Sequence, residues 1–278
     1  MANTEGDTPV AGPGANDIAG HDPAVARPRG LPFLAPVLAL QFLTVAPSII
    51  QRAFTPAELG WAVGFFPLVG LLLGGLLAGL DAVLRLVFPI SVSSALVLAA
   101  WVALTGALHL DGFLDACDGL FGGSSPEERL RILRDERVGA FAVAGGILLL
   151  LTKYTALAAV PGRVAALVIA CTLGRWGMTL AVVAFPYARP QGLGRDMKDN
   201  AGWAQMALAT FVALAVAWSI AGWSGLLAFA LAGVITWAVA RFTLGRIPGL
   251  TGDLYGATCE VVEVAALLTL VALGGWLP

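Results

Sequence analysis

Three aspartates in the stretch HLDGFLDACDGLFGG, residues 109–123, stand at positions i, i+4 and i+7: Asp111, Asp115 and Asp118. At about 100° per residue they fall within a sector of roughly 60° on one helix face. Carboxylates stacked this closely repel one another unless a cation lies between them. Oxygen-only ligands suit a hard ion such as Mg2+, which is usually held by one or two carboxylates, water and substrate phosphate. The plainer alternative is a solvated acidic helix end following a membrane span, but no Lys is interleaved to neutralise the stripe. Asp111, Asp115 and Asp118 are therefore expected to be metal ligands and catalytic residues. His109, two positions ahead, is either a proton carrier or a hydrogen-bonded residue at the interface.

Cationic residues follow at once. In PEERLRILRDERVGAF, residues 126–141, Arg134 and Asp135 share a helical turn with Arg131, and Arg137 comes next. Arginine suits bidentate recognition of phosphate. Pairing of Glu127 and Glu128 with Arg131 on a surface helix accounts for the first arginines, but not for Arg134, Asp135 and Arg137, which abut the next apolar run. YARPQGLGRDMKDN, residues 187–200, adds Arg189, Arg195 and Lys198, and GLTGDLYGATCEVVE, residues 249–263, adds Asp253, Glu260 and Glu263. Glu260 and Glu263 fall inside an apolar run, as do Lys153 and Arg175. Acids in lipid are costly and mark either function or a partnered charge, so Arg175 and Glu260 are read both as substrate contacts and as members of an ion pair.

The elements that must carry these side chains are hydrophobic. Apolar residues make up 58% of the 278 and charged residues 12%, about half the share of a soluble domain. Apolar runs at 31–50, 59–80, 92–110, 138–160, 164–186, 203–221, 223–242 and 257–277 predict an all-α, polytopic transmembrane bundle of seven to eight segments. The runs lack the alternation of a membrane barrel. The first run contains Pro36, Gln41, Thr44 and Pro47 and either spans or lies partly inserted. Residues 1–30, rich in Gly, Ala, Pro and Asp, are expected to be a disordered leader ahead of a single catalytic domain over 31–278. Three cysteines, Cys117, Cys171 and Cys259, show neither metal-ligand nor disulfide spacing.

Orientation follows from the connections. Arg52, Arg129, Arg131, Arg134, Arg137, Arg189, Arg195, Lys198, Arg241 and Arg246 flank one side, ten in all, against Arg85 and Arg163 on the other. This bias puts the motif-bearing loops together in the cytoplasm. An acidic, metal-holding helix beside several arginines at one face points to phosphoryl transfer. No P-loop or dinucleotide fingerprint is present, so the substrate is expected to bring its own phosphates. Nothing suggests nucleic acid as a partner.

Together HLDGFLDACDGLFGG, RILRDERVGAFA, GRWGMTLAVVAFPYARPQGLG and GLTGDLYGATCE resemble the signature stretches of cobalamin synthase, the adenosylcobinamide-GDP ribazoletransferase family. QFLT at 41–44 and FFPLVGLLLG at 65–74 also fit, and Val45 stands where that pattern has a basic residue. The resemblance implies a Mg2+-dependent enzyme of the bacterial inner membrane, late in vitamin B12 synthesis. Such an enzyme joins adenosylcobinamide-GDP to α-ribazole, or its 5′-phosphate, and releases GMP. Arg134, Arg137 and Arg189 would then contact phosphate, and Asp253 and Glu260 would complete the metal site or orient the ribazole. The resemblance leaves open whether the enzyme is a homo-oligomer. A CDP-alcohol phosphotransferase is a poorer match, because Asp111-Gly112 is not followed by that family's Ala-Arg. A transporter would place its charges near the midplane and repeat its halves, and no such repeat is evident.

Overall fold

In a computed structural model, residues 32–274 are described; the expected leader lies outside them. Every named element is helical, and the one β-bridge among the described residues joins Tyr187 to Leu250. The helices are α1 (Ala35–Leu43), α2 (Pro56–Val63), α3 (Phe66–Leu84), α4 (Ile90–Leu104), α5 (Leu108–Gly122), α6 (Pro126–Ile132), α7 (Ala140–Ala159), α8 (Arg163–Ala184), α9 (Leu193–Asn200), α10 (Trp203–Leu244) and α11 (Gly252–Gly274). The result is a helical membrane bundle.

α8 is its axis, buried along nearly its whole length and packed by α3, α10 and α11. Small residues let the backbones approach, as is usual where lipid removes the hydrophobic drive between helices. A side chain at Gly74 would come within 2.6 Å of the Val168 Cα, and one at Gly70 would run into the Cys171 carbonyl. Gly75 and Gly79, on the other side of α3, meet nothing.

The crossing helices are fewer than the seven to eight segments predicted. Five helices, α3, α7, α8, α10 and α11, are long and apolar enough to cross, and α4 with α5 makes a sixth if that pair, bent by 88°, counts as one span. Run 31–50 does not cross as a helix. α1 has nine residues, about 13 Å at 1.5 Å each, against a hydrocarbon core of about 30 Å. Its polar residues close a loop instead: the Gln41 side-chain amide donates to the Ile50 carbonyl and accepts from the Ile50 N–H, both at 3.1 Å.

α10 holds two of the expected segments. Its 42 residues would span roughly 60 Å if straight. Gly222 breaks it, with φ 51° and ψ −126°, a conformation essentially restricted to glycine. A side chain on Gly225 would collide with the Ala217 carbonyl, eight residues back, which no straight helix brings near. The helix therefore turns back on itself at Gly222. Both legs dock on α8: the Trp176 indole donates to the Thr210 hydroxyl at 3.1 Å, and its ring lies 4.2 Å from that of Phe229.

The turn returns the chain to the face it left. The segments after α8 and after α10 pair there through the Ala188 N–H to Leu250 carbonyl and Leu250 N–H to Pro186 carbonyl bonds, each 2.8 Å. The α6–α7 segment joins them, because Arg189 donates to the Leu133 carbonyl at 3.0 Å. At the opposite end Arg163 is neutralised by Asp81, at 2.5 and 2.8 Å.

Candidate active site

Two left-handed residues, Gly106 (φ 59°) and Ala107 (φ 57°), bend the chain between α4 and α5. The left-handed region is strained for Ala, and here it turns the aspartate stripe across the face of the bundle. α11 then lies against α5 at two glycines. A side chain on Gly112 would come within 2.7 Å of the Asp253 carbonyl oxygen, and one on Gly256 within 3.2 Å of the His109 Cα. Close packing thus brings Asp253 beside Asp111 and Asp115 from a distant part of the chain.

The three aspartates do not close around one point. Among the described residues no group of three or more His, Cys, Asp or Glu is arranged to hold a metal ion. The reason is Asp118, whose carboxylate accepts from the Gly139 N–H at 2.6 Å and the Ala142 N–H at 2.9 Å. It caps the start of α7, where orphan N–H groups and the helix dipole favour an anion. Asp118→Ala should therefore cost about 1–2 kcal/mol, measured as a lower unfolding temperature in detergent, with Asp118→Asn recovering part of the loss. An unchanged unfolding temperature in the alanine variant would refute the capping role.

Asp111 and Asp115 accept no hydrogen bond from another described residue. Asp111 is exposed and Asp115 half-buried. The charges that act on Asp115 are Asp111, Asp253 and Asp118, with Arg189 opposing them. Arg189 in turn donates to Asp253 at 2.8 Å, and the Thr251 hydroxyl lies 3.1 Å from the same carboxylate oxygen.

Two cavities meet over this stripe. One, of about 230 Å3, is lined by Asp111, Asp115, Asp118, Arg134, Asp135 and Glu136. The other, of about 800 Å3, is open and lined by Arg131, Arg134, Arg137 and Arg189 among others, and shares Arg134, Asp135 and Glu136 with the first. Arg137 holds Asp135 through two bonds of 2.9 and 2.7 Å. That guanidinium keeps the Asp135 carboxyl down at about 2, so it stays ionised. An anionic ligand in the larger cavity would thus meet arginines, and its far end would reach the carboxylates.

The family model for cobalamin-5-phosphate synthase matches residues 35–271. The chain belongs to this family. It is 38% identical over 239 residues to the adenosylcobinamide-GDP ribazoletransferase of Geotalea daltonii, an alignment covering 86% of this chain and 97% of that protein. The ribazoletransferases of Stutzerimonas stutzeri (41% over 237 residues; 84% of this chain, 96% of that one) and Desulforamulus reducens (37% over 240; 85% and 95%) are similar over the same extent. No solved structure matches the chain.

Within this cobalamin synthase framework most of the expected site residues gather, and two do not. His109, Asp111, Asp115, Asp118, Arg134, Asp135, Arg137, Arg189 and Asp253 line adjoining cavities. Arg175 and Glu260, expected at the substrate, line none of them. Arg175 is 1% exposed and pairs with Glu263, and Lys153 pairs with both Glu263 and Glu260, the latter at 2.5 Å. Two cations and two anions cancel in the interior, where an unpaired charge would be prohibitive.

Tyr255 and Tyr187, which the spacing of aspartates and arginines does not reveal, stack with ring centroids 5.8 Å apart beside Asp253. The aromatics in YARPQG and GDLYG were visible signals, but aromatic residues in apolar runs are usually mere packing. Cys117, Cys171 and Cys259 are buried thiols.

Proposed function

We propose that the chain transfers the adenosylcobinamide phosphate moiety from adenosylcobinamide-GDP to α-ribazole or its 5′-phosphate, releasing GMP. The relatives' names supply the substrates. The geometric observation that supports the reading is the junction of an arginine-lined cavity with one holding Asp111 and Asp115, which accept no hydrogen bond from another described residue. Arg134 and Arg189 bind the diphosphate and stabilise the charge that moves onto the departing GMP. A ribazole hydroxyl attacks the phosphorus attached to the cobinamide in line with the leaving oxygen. One P–O bond forms, the P–O bond to GMP breaks, and Asp111 takes the hydroxyl proton.

The donor set fits Mg2+, which characteristically takes one or two carboxylates and completes its shell with water and substrate phosphate. Asp111 and Asp115 would hold it, and it would neutralise the diphosphate. Asp118 is not required as a ligand. The ten-to-two excess of Lys and Arg on the connections of the site face supports a cytoplasmic active site in a bacterial inner membrane.

The test is turnover by the purified protein in lipid nanodiscs, supplied with adenosylcobinamide-GDP, α-ribazole and Mg2+. Equimolar cobalamin and GMP are expected, lost on adding EDTA and restored by excess Mg2+. Absence of both products would sink the reaction assigned, and full activity in EDTA would sink the metal alone.

A further inference from the structure

Asp111 also lines a third cavity, a chamber of about 170 Å3. Its walls include Phe66, Met178 and Met197, all buried. Besides Asp111 and Asp253, two further polar side chains line it, His109 and Tyr255, 1% and 3% exposed. Neither imidazole nitrogen of His109 nor the Tyr255 hydroxyl has a hydrogen-bond partner among the described residues. Buried polar groups are almost always satisfied, so three orphan atoms on one small chamber ask for a ligand that satisfies them. The chamber's size narrows the class: an apolar cavity of about 150 Å3 holds a single benzene ring. A corrinoid is too large, whereas thioether and ring walls suit a single flat aromatic base.

We propose that this chamber seats the aromatic base of the acceptor nucleoside, an inference that rests on the reaction assigned above. The bicyclic ring lies against Phe66, Met178 and Met197. His109 and Tyr255 offer a donor to its unsubstituted ring nitrogen and bond the ribose hydroxyls. Asp111, which lines both this chamber and the acidic cavity, then stands where a ribose hydroxyl meets the phosphate. His109 is on this account a recognition residue, and the proton goes to the carboxylate. The contacts also explain selectivity: a site built around buried hydrogen-bonding groups rejects analogues that leave them unpaired.

The full-length protein in nanodiscs, without donor or metal, is tested by equilibrium dialysis against α-ribazole and against its free benzimidazole base. The wild type should bind both. Tyr255→Phe keeps the ring and removes the hydroxyl. It should weaken α-ribazole binding and raise its KM about five- to tenfold, the scale of one lost hydrogen bond, while KM for adenosylcobinamide-GDP and saturated kcat hold. Met197→Trp, which fills the chamber, should abolish binding of the free base, with unchanged retention of adenosylcobinamide-GDP in a parallel dialysis showing that the variant is folded. The assignment is overturned if Tyr255→Phe leaves acceptor binding and KM unmoved, or raises the donor KM instead. Wild-type turnover in the same preparation separates that outcome from failure of the reaction itself.

Discussion

Asp115→Asn is expected to lower turnover by about a hundred- to a thousandfold, with the protein still folded in the membrane. Asp115 is half-buried in the acidic cavity and accepts no hydrogen bond from another described residue, so the amide removes charge without removing a structural contact. The lost charge is one of the two that would hold Mg2+ on the diphosphate, and preorganised groups at a developing charge each contribute about 10²–10³ in rate. The substitution also relieves repulsion among Asp111, Asp115 and Asp253, so the unfolding temperature should hold or rise while kcat collapses. The comparison to run is kcat beside thermal unfolding for Asp115→Asn and Asp118→Ala. Wild-type turnover in the first would remove Asp115 from the metal site. The contrast matters because the two residues share one sequence stripe and have different tasks.

The largest loss of stability is expected from Glu263→Leu. Glu263 is fully buried and pairs with both Lys153 and Arg175. Its removal leaves two buried cations facing Glu260 alone. Breaking one partner of a buried ion pair costs about 3–5 kcal/mol, whereas replacing a whole pair by apolar groups is often neutral. Glu263→Leu should therefore fold poorly and aggregate at a much lower temperature in detergent. Adding Lys153→Met restores the charge balance between Arg175 and Glu260 and should recover most of the loss. A double variant as unstable as the single one would show that the packing of Glu263, rather than its charge, holds α7, α8 and α11 together.

Much of the fold is legible in the sequence because lipid makes its demands local. Each span has to satisfy its own backbone, so runs of apolar residues map onto helices, and the two runs parted at Gly222 are the two legs of α10. Run 31–50 was ambiguous in the sequence because apolar residues that pack against other helices, Leu38 and Leu43 among them, read the same as residues that face lipid. The site was legible only in part. That Asp111, Asp115 and Asp118 share a helix face follows from their spacing, but the capture of Asp118 by α7 depends on Gly139, 21 residues on. The neighbourhood of Asp115 and Asp253 depends on Gly112 letting α11 approach. Arg175 and Glu260 were ambiguous for a physical reason: a charge in lipid signals a ligand site or an ion pair with equal force, and only the partner's position decides. The aromatic chamber leaves no periodic trace, since its walls come from separate helices.

The reversal at Gly222 makes α10 neutral in the arithmetic of membrane insertion. A segment that goes out and comes back adds an even number of passes, so its length and composition can drift without inverting the helix behind it. α11, which carries Asp253 and Tyr255, therefore keeps its sidedness as long as the two legs before it insert together. The outer turn of that hairpin is accordingly the place where the chain can tolerate insertion, a tag or an epitope for instance, at least cost to the chemistry on the far side.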